Sequence, residues 1–269
     1  IAERDTQVSD KPKLLNEFVN TWSVEGLYEE GVAPAELGWG THEKKLPPMA
    51  YEHQSGPKNQ IAIAQPGAKT WVRSWVPNME ITGMVIRHGE AFTIPDHLTV
   101  WEGDQAVYRP TVHYAYCPTD AAIASLRELE HRNWDLTENQ RIMNDEIIDG
   151  NDRLGVLLMG HPYKSWWTGS LLSIHDSRKL IPNQSATTVQ VASAVFAAVA
   201  WVVKNPDKGL LVPDDMPWRE VLAYAEKYWG GFHSAPADWT PIDNRTDFFE
   251  GWNGKEYDSD PWQFSNFLV

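Results

Sequence analysis

A chain of 269 residues buries enough apolar surface for one large domain or two modest ones, and length alone does not choose between them. Its 23 basic and 37 acidic residues give a formal charge of −14, which disfavours nucleic acid and anionic membranes as partners and favours cationic ligands. Cys117 is the single cysteine, which excludes an intrachain disulfide and a thiolate metal cluster and fits a reducing compartment.

The polar, mixed-charge opening from Ile1 to Gln7 carries no secretory signal pattern, and a first residue other than Met reads as a cut into a longer chain. The stretch FVNTWSVEGLYEEG (18–31) follows. Phe18 and Val19 end a strand, Ser23 is a helix N-cap and Gly31 before Ala33-Pro34 is the stop, so Trp22 falls where strand passes to helix. Glu25 and Glu29 are four apart and share a helix face, while Glu30 points elsewhere. An indole face attracts a cation by about 0.5 to 2 kcal/mol, so this stretch suits a cationic ligand. The alternative, which composition alone favours, is a core tryptophan beside a solvated acidic helix face.

Thr41 to Gly67, with its run LPPMAYEHQSGPKNQ, reads as a long surface loop holding one short strand at Ile61–Ala64. A β-rich centre comes next. Thr70–Val76 alternates as a strand, and Ile81–Arg87 leads through His88-Gly89-Glu90 into Ala91–Ile94 as a hairpin. Leu98–Trp101 and Val107–Tyr116 flank the turn Gly103-Asp104, and Arg141–Ile148 and Leu154–Met159 flank Asp149-Gly150. Between them a helix capped at Thr119-Asp120 runs to His131 with Ile123 and Leu126 inward, and Trp166–Ile174 is a further strand. The predicted fold is α+β, a mostly antiparallel or mixed sheet with flanking helices.

Thr187 and Gln190 form a capping-box pattern opening the apolar helix of Val189–Val203, which Asn205-Pro206 ends. That segment is about five residues short of a transmembrane length and carries Gln190 and Ser193, so it predicts a helix buried on all sides. Pro217–Tyr228 is an amphipathic helix, and the chain beyond Gly230 is turn-rich with aromatics. Two sequons, Asn183-Gln184-Ser185 and Asn244-Arg245-Thr246, matter only in a secreted protein.

Nine histidines occur without an HxxxH or HxH pairing, which argues against a dedicated zinc site. The sequence also lacks G-x-S-x-G, G-x-x-x-x-G-K-[ST] and G-x-G-x-x-G, removing the simplest hydrolase, nucleotide triphosphate and dinucleotide readings. What remains is carboxylates and imidazoles at strand ends and turns: Glu3, Glu30, His88 with Glu90, His113, and Asp149 with Asp152. His88 and Glu90, two apart across a tight connection, can project to one side. Each of these also reads, taken singly, as a satisfied turn or surface residue.

The segments IAERDTQ, FVNTWSVEG, PAELGWGT, VRSW, YRPTVHYAY, EIIDGNDRLGVLLMGH, SAV, DWTP and DPWQF occur in this order, and together the chain resembles the later part of the bacterial homospermidine synthases, relatives of the saccharopine dehydrogenases. His42–Asn59 and Asn244–Asp258 depart from that pattern. The resemblance implies an NAD-dependent aminobutyl transfer that joins two putrescines, or putrescine and spermidine, with release of ammonia or diaminopropane. NAD would be a recycled hydride carrier held largely by a Rossmann-type domain preceding IAERDTQ. Residues 1–182 would form the substrate-binding, catalytic and dimerisation domain. Residues 183–269 would form a helical segment and tail returning to the dinucleotide domain, leaving an apolar helix face exposed without it. By the same resemblance Trp22 stabilises cationic intermediates, Glu3 and Glu30 hold amino groups, and His88, Glu90 and Asp152 line the substrate site; His113 and Asn20 are weaker candidates. No metal, nucleic acid or membrane is implied, and a cytoplasmic homodimer is. The competing expectations are a non-catalytic polyamine-binding and dimerising fragment, a related saccharopine dehydrogenase-like oxidoreductase, and a carbohydrate-active protein, since indoles and paired carboxylates also suit sugars.

Overall fold

The computed structural model describes all residues except 56–57, 246–248, 250–251 and 253–255, so Thr246 of the second sequon lies outside the described residues. Its elements begin with β1 (Ala2–Asp5), β2 (Val8–Ser9), β3 (Phe18–Asn20), α1 (Val24–Val32), β4 (Pro34–Gly38), β5 (Ala50–Glu52), β6 (Gln60–Pro66), β7 (Trp71–Val76) and β8 (Met79–Val85). They continue with α2 (Glu90–His97), β9 (Val100–Glu102), β10 (Gln105–Tyr108), β11 (Ala115–Cys117), α3 (Asp120–His131), β12 (Gln140–Ile142), β13 (Ile147–Asp149), β14 (Asn151–His161) and β15 (Lys164–Ser173). The remainder is α4 (Ile174–Leu180), α5 (Ala186–Lys204), α6 (Trp218–Ala225) and β16 (Phe232–Ala237).

Seven strands make the main sheet in the order β16-β15-β14-β1-β11-β8-β7. The first strand of the chain therefore lies in the middle of the sheet. Its pairing with β11 is parallel, and the other neighbours in the sheet pair antiparallel, so the sheet is mixed as the α+β reading expects. Side chains alternate between the two faces. One face packs Ala2, Val72, Val85, Ala115, Leu157 and Trp167 against Trp239, Phe264 and Phe267 of the C-terminal segment. The other carries Met84, Tyr114 and Tyr116 under Val24 and Leu27 of α1 and Ala122, Leu126 and Leu129 of α3. Ser23 caps α1 by accepting from the Gly26 N–H at 3.0 Å, and Thr119 caps α3 by accepting from the Ala122 N–H at 3.2 Å, both as the sequence indicated.

Several local expectations give way to tertiary contacts. Gly31 lies inside α1 and does not stop it; the helix runs to Val32 and ends before Pro34. The 41–67 segment contains two strands, β5 and β6, and β6 pairs with both β4 and β5 in a three-stranded sheet. Ala91–Ile94 is not a strand: the Ala91 and Phe92 N–H groups bond back to the carbonyls of His88 and Gly89 and start α2. Ala91 and Pro95, four apart, bury against β4, where a Cβ on Gly38 would meet Pro95 Cγ at 2.1 Å. The hairpin in this region is instead β7–β8, closed at Asn78 with φ of 64°. The Val107–Tyr116 strand is split into β10 and β11 around Arg109-Pro110. Asp149-Gly150 does not close a hairpin either, because β13 pairs with β2 while β14 pairs with β1 and β15.

Helix α5 starts two residues earlier than the capping-box pattern places it. Ser185 is the cap, accepting from the Thr188 N–H at 3.1 Å and donating to the Thr21 carbonyl at 2.7 Å. Thr187 and Gln190 are drawn away into the domain, toward Asp5 and Ser170 respectively. At 19 residues α5 is long and apolar enough to span a bilayer on length and composition alone. Its composition predicted burial on every side, yet Val191, Val195, Phe196, Val199, Val202 and Val203 are exposed. Beyond Gly230 the chain is not all turns, since β16 adds to the sheet along β15, with Pro236 tolerated on an edge strand.

Replacing Ser185 by Ala removes both the cap and a buried bond to Thr21, and is expected to cost about 1 to 2 kcal/mol of stability, read from the urea midpoint.

Candidate active site

The site is built by strand alternation. Glu3 and Asp5 are two apart on β1 and share a face. The antiparallel register sets Asp152 of β14 directly opposite Asp5, and the parallel register sets Tyr116 of β11 opposite Glu3. Tyr114, two residues before Tyr116, joins the same face. Three carboxyl groups and two phenols thus converge, and Glu3, Asp5, Asp152, Tyr114 and Tyr116 are all buried.

Trp22 and the His88 group extend this cluster. The Trp22 indole Nε1 donates to Tyr116 Oη at 2.8 Å, with ring centroids 6.4 Å apart. Tyr114 Oη donates to Glu3. The Tyr114 ring lies 5.0 Å from the His88 ring. His88 holds Glu90 through Nδ1 and sets Nε2 at 3.6 Å from Glu30 Oε1. All six residues singled out from the sequence, Trp22, Glu3, Glu30, His88, Glu90 and Asp152, therefore belong to one chain of neighbours. His113 does not: it is buried between Phe264 and Phe267, 5.4 Å from each ring, in the core on the opposite side of the sheet. Asp149 is exposed and sits 3.5 Å from His175. Asn20 is buried beside the site with Nδ2 on the Ser23 carbonyl at 3.2 Å.

Sequence reasoning missed Tyr114, Tyr116, Asp5 and Thr187. The alternation in YRPTVHYAY and IAERD contains the signal for the first three. Asp5 accepts from the Gln7 N–H at 2.9 Å, Gln7 Nε2 at 3.0 Å, Thr21 Oγ1 at 2.6 Å and Thr187 Oγ1 at 3.1 Å. It ties the first turn of α5 to the central strand.

The electrostatics are those of acids without cations. Among the described residues no Lys or Arg nitrogen lies within ion-pair distance of Glu3, Asp5 or Asp152. Burial pushes Glu3 up to about 7, with the Tyr114 hydrogen bond opposing it. Burial, with Glu3 and Asp5 close by, holds Asp152 well above the usual carboxylate range. No donor meets the Asp152 carboxyl oxygens in ordinary hydrogen-bond geometry, although the Thr187 hydroxyl and the Glu3 carboxyl lie close enough to act on them, and Glu30 Oε2 and Asn20 Oδ1 are likewise buried and unpaired. Burial raises Asp5, opposed by its donors from Thr21, Gln7 and Thr187. Glu30 is pushed up to about 7 by burial, against the pull of His88. The Glu90 hydrogen bond raises His88; burial alone would raise Glu90, but His88 overcomes it and holds it low.

An unpaired buried carboxylate costs several kcal/mol, so burial favours the protonated form of Asp152, while Glu3 and Glu30, pushed up to about 7, can both give up and accept a proton near neutral pH. Among the described residues no three His, Cys, Asp or Glu side chains are arranged to hold a metal ion. The complement that fits is an organic cation with N–H donors, able to fill the free carboxyl lone pairs and face an indole.

Residues 4–230 match the model of the saccharopine dehydrogenase C-terminal domain. The chain is 46% identical over 272 residues to a homospermidine synthase of Blastochloris viridis and 45% identical over 273 residues to one of Mesorhizobium japonicum. Each alignment takes in the whole chain and 56% of the relative, so the chain spans about half the length of the curated relatives it matches. It superposes with a TM-score of 0.96, at 42% identity, on the crystal structure of the homospermidine synthase from Legionella pneumophila in complex with NAD, covering all of this chain and 58% of that one.

Glu3, Glu30 and Asp152 each hold in the folded state a proton that the unfolded chain gives up near pH 4 to 4.5, and the raised His88 acts in the same direction. The buried His113 and Ile1 amino group, lowered to about 3 and about 6, act the other way, but the raised groups outnumber them, so the folded protein binds more protons from about pH 5 to 8 and stability falls as pH rises. The ligand-free chain is expected to lose on the order of 2 kcal/mol across that window in urea unfolding, and Asp152→Asn to flatten the slope. Stability rising through the window would contradict this assignment.

Proposed function

The chain belongs to the saccharopine dehydrogenase C-terminal domain family, and from that membership and its site we propose that it is the substrate-holding part of a homospermidine synthase. The reaction is an NAD-dependent aminobutyl transfer joining two putrescines, or putrescine and spermidine, with loss of ammonia or diaminopropane. The observation that carries this reading is the buried Glu3–Asp5–Asp152 group, without a basic partner among the described residues and beside the Trp22 indole.

The Legionella neighbour's complex with NAD supports NAD as the cofactor of the complete enzyme. The residues described here do not fit its phosphates: the sequence has no G-x-G-x-x-G turn, and the site carboxylates would repel a diphosphate. When bound, NAD supplies the acceptor and donor of hydride; this chain's residues hold the amines. An apolar surface for a dinucleotide domain is available on the exposed side of α5. A homodimer and a cytoplasmic location belong to the same proposal, supported by family resemblance and the lone, unpaired Cys117.

The substrate dictates what the residues must do. Aliphatic amines have pKa values near 10.4, so a diamine arrives as a dication, yet the carbon beside a nitrogen is oxidised only when that nitrogen is neutral. The two ends need different treatment. Asp152, with Glu3 beside it, offers one ammonium its carboxyl oxygens, and protons are released as it binds. Glu30, pushed up to about 7, accepts the proton of the reacting amine, with His88 beside it and oriented by Glu90. The Trp22 face then stabilises the transient iminium without trapping it, as a carboxylate contact would. Deprived of a dinucleotide turn, the 269 residues alone bind the diamine and do not turn it over.

Incubation with putrescine and NAD is expected to yield homospermidine from the complete enzyme and none from this chain alone. In the complete enzyme Trp22→Ala should cut turnover on the order of 10²-fold while shifting the melting temperature little. Equal loss of turnover and folding, or no product from the complete enzyme, would overturn the reading.

A further inference from the structure

The first turn of α1 contains a glycine that its backbone does not need. Gly26 lies three residues after the Ser23 cap, its N–H donates to Ser23 Oγ at 3.0 Å, and its φ is outside the left-handed region. Alanine is the better helix former at such a position. What glycine supplies is room: a Cβ there would meet Trp22 Cζ3 at 2.7 Å and the Ser23 Cβ and Oγ at 3.3 Å. The indole therefore lies directly over the Gly26 Cα.

Trp22 is held from two directions. Its pyrrole edge is fixed by the Nε1 bond to Tyr116 Oη at 2.8 Å. Its benzene edge rests in the notch left by the missing Gly26 side chain. A methyl group at 26 meets side-chain atoms of Trp22 and, less closely, of the Ser23 cap, not backbone, so the adjustment expected is a shift of the indole away from Tyr116.

We propose that Gly26 is a positioning residue for Trp22: the absence of a side chain at 26 sets the indole plane against which the cationic substrate is stabilised. This rests on the proposed role of Trp22 and adds that the helix contributes to the site through a vacancy. Because a displaced ring still closes the site but misplaces its π-face, the effect falls on turnover more than on substrate binding.

The test is a double-mutant cycle in the complete enzyme with NAD and putrescine. Gly26→Ala is expected to lower kcat at least about tenfold, with KM for putrescine changed less than threefold and the melting temperature unchanged or higher. In a Trp22→Phe background, whose shorter ring does not reach the notch, adding Gly26→Ala should change kcat less than twofold. Gly26→Ala with wild-type kcat, while Trp22→Ala is impaired, would overturn the notch and leave the indole's role intact. Trp22→Ala with wild-type kcat would overturn the reading on which it rests. Equal kcat losses from Gly26→Ala in the wild-type and Trp22→Phe backgrounds, or a lowered melting temperature matching the lost activity, would show a merely structural glycine.

Discussion

Three carboxyl groups share one buried face of a sheet with no lysine or arginine among the described residues to neutralise them, and the site takes its form from that constraint. Carboxylates in such a place are neutral, bonded to donors, or waiting for a cation. The structure uses all three solutions. Asp5 is surrounded by donors from Gln7, Thr21 and Thr187. Glu3 takes the Tyr114 hydroxyl. Asp152 is left with no donor in ordinary hydrogen-bond geometry, and it is on this poorly satisfied buried acid that the proposed diamine reading rests.

Position follows from the central strand. Because β1 lies between β14 and β11, its two acids are placed against residues about 110 to 150 positions away in sequence by backbone register alone. The same strand, through Asp5 and Thr187, fixes the first turn of α5, while Ser185 fixes that turn to the Thr21 carbonyl just before the indole. The buried acids, the indole and the long apolar helix are thus tied at one point. The exposed valines of α5 lie farther along that helix, so whatever covers them bears on an element anchored in the site.

The cap at Ser23 and the His88–Glu90 spacing are local features, and Trp22, His88 and Glu90 fall at the turns where the sequence puts them. The helix caps of α1 and α3 were legible for the same reason. What the sequence did not disclose depends on distant partners. Ala91–Ile94 has the apolar, β-branched look of a strand, but the His88 and Gly89 carbonyls and the seat for Pro95 over Gly38 make it helical. Thr187 looks like a cap because its hydroxyl is the right kind of group; the hydroxyl is spent on Asp5, and Ser185 takes the cap. The phenols of Tyr114 and Tyr116 were passed over because a tyrosine shows its role only when its hydroxyl's partner is known.

Proton release on binding tests the central claim most directly. Putrescine is titrated into the protein at pH 7 in buffers of differing ionisation enthalpy, for wild type and for Asp152→Asn. If the buried acids are protonated until the dication arrives, wild type releases protons on binding and Asp152→Asn releases fewer. Binding without proton release, or with identical release from both, would show that these carboxyls were ionised all along and that the charge complement of the site lies elsewhere.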